Sequence, residues 1–206
     1  MFKSINGGQL PQRATKYSAG FDVYSNEDVV IGAGETKLVG LGIALDDYEI
    51  WETMNYALNN TRLNEIVKHP MYGLATEEDM SIFLQEHYFA LHIRSSLRAK
   101  GLTSLGTGII DMDFVYPNEI KMVIHNPVAK HELASIVSKI DMAIENRNSK
   151  DNLKIIYNLS PLSKYEIKKG DKIGQLILCR HEGWLLPSEY TKDEERMGGF
   201  GSSGSR

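Results

Sequence analysis

The chain has 206 residues, 42% of them hydrophobic and 24% charged, with a net charge of −4. That composition excludes a disordered chain and supplies a core that needs no disulfide or metal staple, and at roughly 150 residues per domain it fits one domain with insertions. The acidic balance argues against a surface built to bind nucleic acid directly, the single cysteine (Cys179) excludes a disulfide framework, and no apolar run approaches the roughly 20 residues of a membrane span, so a cytoplasmic protein is expected.

Along the chain the hydrophobic period changes several times. Short strands broken by glycine are expected at Ala19–Tyr24, Val29–Ile31, Lys37–Val39 and Ile43–Leu45, with a turn at Gly32–Glu35. From Asp47 to about Glu86 the period is helical: Ile50, Met54, Ala57 and Leu58 recur at three- and four-residue steps, as do Leu63, Ile66 and Val67. Thr76-Glu77-Glu78-Asp79 has the form of a helix start, with acids in the first turn. Strand character returns over 87–126, where Tyr88, Ala90, His92 and Arg94 alternate with Phe89, Leu91 and Ile93, and again at Glu119–His125. A second helical stretch, about Lys130 to Arg147, aligns Leu133, Ile136, Val137, Ile140 and Ala143. Strands follow at Leu153–Tyr157 and Gly174–Cys179, and a glycine- and serine-rich tail ends the chain. The pattern predicts one mainly β domain over 1–206. It carries helical insertions at about 47–86 and 127–152 and a flexible C-terminal arm over about 190–206.

Five short segments have the composition of a site, and each also has a purely structural explanation. Tyr17-Ser18-Ala19-Gly20-Phe21-Asp22 places a carboxylate among strand residues, where it could equally cap a turn. Ile93-Arg94-Ser95-Ser96-Leu97-Arg98-Ala99-Lys100-Gly101 gathers cations and hydroxyls, which suit phosphate oxygens or a solvated turn. Gly108-Ile109-Ile110-Asp111-Met112-Asp113-Phe114 puts two acids on one strand face, as a general base toward water or as turn-forming aspartates. In Ile167–Leu176, Lys169-Gly170-Asp171 is a turn and Gln175 points either into a site or into water. Arg196-Met197-Gly198-Gly199-Phe200-Gly201-Ser202-Ser203-Gly204 reads as a phosphate-approaching arm with a stacking aromatic, or as a linker. The six histidines show no ligand spacing, so a protein-ligated metal is not expected, and there is no P-loop or dinucleotide glycine fingerprint.

Taken in order, the five segments resemble the five motifs of the trimeric dUTP diphosphatases (dUTPases). The resemblance implies a dUTPase-like β-barrel or jelly-roll body of the β-clip type. It also implies a homotrimer with shared active sites, and hydrolysis of dUTP to dUMP and pyrophosphate with Mg²⁺ held by the phosphates and water rather than by protein ligands. By motif position, Asp111 would be the general base that activates water. Phe114 would lie against the deoxyribose, with Gly108 in the same motif. Arg94, Ser95 and Ser96 would hold the phosphate chain, Gln175 would reach the α-phosphate, Phe200 and Gly201 would cover the uracil, and Ser202, Ser203 and Arg196 would meet the γ-phosphate. Asp22, Asp113 and Lys100 would be supporting residues, and backbone groups of the hairpin after Asp111 would read the base.

The departures from the motifs are specific. Phe114 replaces a tyrosine, with Tyr116 as a candidate to compensate. Two additional residues lie in Val115–Asn118, Ser96 stands where glycine is usual, and Arg196 is one residue out of register. The two helical insertions point to a phage or viral version. The rival within the superfamily, a dCTP deaminase, would need an acid near Val123, and none is there. A regulatory protein that binds a partner through the insertions is the alternative from another class.

Overall fold

The computed structural model describes residues 1–60, 76–128 and 164–186. In chain order come β1 (Phe2–Ser4), β2 (Gln12–Arg13), β3 (Phe21–Tyr24), β4 (Val29–Gly32), β5 (Thr36–Gly40) and β6 (Ile43–Leu45). Helices α1 (Asp47–Asn60) and α2 (Glu77–Glu86) lead into β7 (His87–Ile93), then α3 (Ser95–Ala99), β8 (Gly108–Asp111) and β9 (Lys121–His125). The last strands are β10 (Lys164–Ile167) and β11 (Lys172–Arg180).

These strands all pair antiparallel. The main sheet has the order β2-β3-β11-β7-β8, and three two-stranded ribbons, β1–β6, β4–β10 and β5–β9, surround the same core. Strand β11 comes late in the chain yet lies between β3 and β7, so three distant segments are held in one register.

The alternation expected over 87–126 decides which side chains go inward. On β7, Phe89, Leu91 and Ile93 are buried, and on β9 Met122 and Ile124 are, meeting Val23, Leu41 and Leu176 in one cluster. Burial of a side chain as large as Phe89 contributes about 2–3 kcal/mol. Three elements escape the sequence reading. β1 and β2 are too short to show a period, and the charged run of β10 becomes a strand only because β4 pairs with it. The Arg94–Gly101 segment, read as a phosphate-binding run or a solvated turn, contains the short helix α3, anchored by buried Leu97.

The described parts of the 47–86 insertion pack on the β body. Ile50 is fully buried in the core, and Met54, Met80, Phe83 and Leu84 pack against it. The α2 start is a capping box: the Asp79 amide donates to Thr76 Oγ1 at 3.1 Å, and the Thr76 amide donates to Asp79 Oδ2 at 2.8 Å. Of the other expectations, the second insertion from residue 129 on and the C-terminal arm lie outside the described residues. No helix among the described residues is long and apolar enough to cross a membrane.

Candidate functional site

Strand pairing builds one half of the site. Asp22 on β3 is the register partner of Gln175 on β11, which is in turn the partner of His92 on β7. Antiparallel partners share a face, so the three side chains form a row across the sheet. Arg94 lies two residues past His92 in extended backbone, and its amide donates to the Ile173 carbonyl at 3.1 Å, which carries it to the same face.

Asp22 is the hub of this row, only 1% exposed. Gln175 Nε2 donates to its Oδ1 at 3.0 Å, Lys172 Nζ donates to its Oδ2 at 3.1 Å, and Arg94 Nε stands 3.8 Å from Oδ1. Burial pushes the Asp22 carboxyl up, but the bonds from Gln175 and Lys172 and the charge of Arg94 outweigh it and hold the group below its ordinary value. The carboxylate therefore stays ionised and fixes three donors at one edge of the sheet.

Lys172 is the member that sequence reasoning passes over. It lies three residues from Gln175, a spacing that sends side chains to opposite faces of a regular strand. A register shift between Lys172 and Gly174 opposite β3 turns Lys172 to the face of Asp22. Gly174 itself sits where a Cβ would come within 2.9 Å of Met122 Sδ and 3.0 Å of the His92 carbonyl.

Beside Arg94, Ser95 and Ser96 are exposed in the first turn of α3. Lys100 is turned elsewhere: its ammonium donates to the Tyr165 hydroxyl at 2.9 Å, and that bond raises its pKa.

The other half is a cavity of about 270 Å³ between β8 and β9, lined among others by Leu91, Thr107, Gly108, Phe114 and Lys121. Strand β8 pairs with β7 and β9 with β5, so among the described residues each turns its second edge toward this space, that of β9 being bridged by Thr103 only at His125. An unpaired strand edge offers alternating N–H and C=O groups. The cavity is bounded by β8, which ends at Asp111, and by β9, the strand that follows the segment after Asp111. Phe114 is buried at its wall. Tyr116 is not in that lining. Its amide donates to the Leu45 carbonyl at 2.8 Å and its ring lies 4.4 Å from Lys3 Nζ, because the Val115–Asn118 segment turns toward β6.

Asp111 ends β8 opposite Tyr88, on the face that carries the Asp22 row but four residues, or about 13 Å, down β7 from His92. Its carbonyl accepts from the Phe114 amide at 3.1 Å, closing a turn, and Asp113 is exposed in that turn. The structure thus joins Asp22, Arg94 and Gln175, places Gly108 close by as the partner of Leu91, and sets Asp111 about 13 Å away along β7. Arg196, Phe200, Gly201, Ser202 and Ser203 lie outside the described residues. Among the described residues no group of three or more His, Cys, Asp or Glu side chains could hold a metal ion.

No family model matches the chain. Over 197 residues it is 26% identical to the deoxyuridine 5′-triphosphate nucleotidohydrolase of Rhodococcus erythropolis, covering 95% of this chain and 79% of that protein. It is 28% identical over 200 residues to that of Corynebacterium efficiens, covering 96% and 73%. The chain is thus similar to dUTPases over nearly its whole length. In fold it is similar to a mutant of the Staphylococcus bacteriophage 80alpha dUTPase with dUpNHpp, with TM-score 0.52 and 19% identity over 100% of this chain and 98% of that one.

Proposed function

We propose that the chain hydrolyses dUTP to dUMP and pyrophosphate by attack of water on the α-phosphorus. One observation carries this reading: side-chain donors from three distant segments converge on Asp22, while a cavity of about 270 Å³ with the buried Phe114 ring at its wall lies between β8 and β9. The resemblance of the five motifs to dUTPases and the similarity to curated proteins of that name support this activity.

In this reading Arg94, Ser95, Ser96 and Gln175 hold the phosphate chain, with Asp22 orienting Arg94 and Gln175. Phe114 closes the cavity against the deoxyribose and leaves no space for a 2′-hydroxyl, with Gly108 across from it. Asp111 takes the proton from the attacking water. Phe200 and Gly201 cover the base, and Ser202, Ser203 and Arg196 reach the terminal phosphate as the arm closes, which excludes water. Mg²⁺ held by the phosphates and its own waters would neutralise charge there, with no protein ligand required.

The distance between Asp111 and the Asp22 row supports a site assembled between copies of the chain, as a homotrimer. Ile109, exposed on the outer face of β8, is suited to such a contact. Val123 stands where a deaminase needs an acid, so the deaminase reading loses its proton donor. On the 47–86 insertion Ile50, Met54, Met80, Phe83 and Leu84 pack on the β body, while Tyr48, Tyr56 and Ile82 stay exposed as the surface a docked partner would meet.

The deciding experiment is a nucleotide panel with Mg²⁺. Pyrophosphate released from dUTP in strong preference to dTTP, dCTP and UTP supports the reading. Ammonia from dCTP, or equal use of UTP, overturns it.

A further inference from the structure

We propose that His92 is a further contact for the phosphate chain, an inference that rests on the hydrolase reading above. His92 is the β7 partner of Gln175, so the two side chains stand side by side on the face that carries Asp22 and Arg94. The other donors in the row each spend part of their capacity on Asp22. Gln175 and Lys172 each place a donor on Asp22, and Arg94 is paired with it. The half-buried His92 imidazole has no side-chain hydrogen-bond partner among the described residues.

Its position explains why a ligand would meet it. Pairing of β8 with β7 ends at Gly108 opposite Leu91, so the sheet is open beside His92 on that side. The charged groups facing the row are Asp22 from β3, Lys172 from β11 and Arg94 from the end of β7. Asp22 is saturated, so the free capacity of the row is that of donors. An imidazole in either protonation state offers at least one N–H, and an anion with many acceptor oxygens is the ligand that uses it. A triphosphate whose α-phosphate lies by Gln175 brings its neighbouring oxygens to His92.

The test uses the full-length chain and the His92→Leu and His92→Gln variants. In His92→Leu the KM for dUTP and the dissociation constant for pyrophosphate, measured by calorimetry, rise about tenfold. That is about 1.4 kcal/mol, in the range of one hydrogen bond to a charged group. kcat changes less than about threefold and the affinity for deoxyuridine stays as in the wild type. His92→Gln, which keeps an N–H donor, restores most of the pyrophosphate affinity. Unchanged pyrophosphate affinity in His92→Leu overturns the proposal. So does a parallel loss for pyrophosphate and deoxyuridine, which marks a general distortion of the sheet. A wild-type protein that binds pyrophosphate but releases none from dUTP defeats the hydrolase reading instead, and the calorimetric arm still decides on His92.

Discussion

The two halves of the candidate site are built by opposite means. Around Asp22 the work is done by side-chain charge: a buried carboxylate gathers an arginine, a lysine and a glutamine before any ligand arrives. Between β8 and β9 the work is done by shape and by backbone, with Phe114 at the wall and two strand edges facing the space. A charged chain needs donors that are already oriented, since ordering long side chains at the moment of binding costs entropy. A flat base needs a slot and a few fixed backbone groups, which a sheet edge supplies without mobile parts.

Four substitutions break or sharpen that contrast. The largest effect is expected at Asp111→Asn, which keeps the cavity and removes the base: kcat for pyrophosphate release falls about 10³-fold, within the usual range for a general base, while dUTP binding by calorimetry changes only a few-fold. Equal loss of binding would make Asp111 a structural residue. Next, Gly174→Ala forces a methyl group against Met122 and the His92 carbonyl, beneath both halves at once. Urea unfolding is expected to show a cost of about 1–3 kcal/mol.

Asp22→Asn acts on the charged half alone. Asp22 is titrated below its ordinary value in the folded protein, so its contribution is present above pH 3.8, the unfolded reference, and disappears as pH falls through the depressed folded value. Denaturation at neutral pH should show a loss of about 1–2 kcal/mol, modest because Arg94 and Lys172 are partly solvated. The difference from wild type should shrink as the pH drops below about 4. The smallest effect is at Phe114→Leu, on the cavity side. Trimming the ring should narrow the preference for dUTP over UTP about fivefold, or about 1 kcal/mol, read as a ratio of kcat/KM values. An unchanged ratio would remove Phe114 from sugar selection.

Much of this was legible in residue order, and the rest was not for identifiable reasons. The strand at Gly174–Cys179 and the helix start at Thr76 carry local signals, a run of apolar residues and a capping box, and both appear in the structure. Lys172 was hidden because a strand irregularity reverses its face, and β10 because a four-residue charged strand has no signature apart from its partner β4. Tyr116 looked able to replace the missing hydroxyl until the chain's turn toward Leu45 took it away from the cavity.

The amino-acid sequence alone determined the mainly β character, the helical period of the first insertion and the order of five motifs, because periodicity and motif identity are local properties of the chain. Only the tertiary structure decided that Asp22, Arg94, Lys172 and Gln175 form one cluster and that a cavity opens between β8 and β9. Those facts depend on β11 threading between β3 and β7 and on one irregular step in its register, and such long-range pairings leave no trace in the spacing of residues along a single segment.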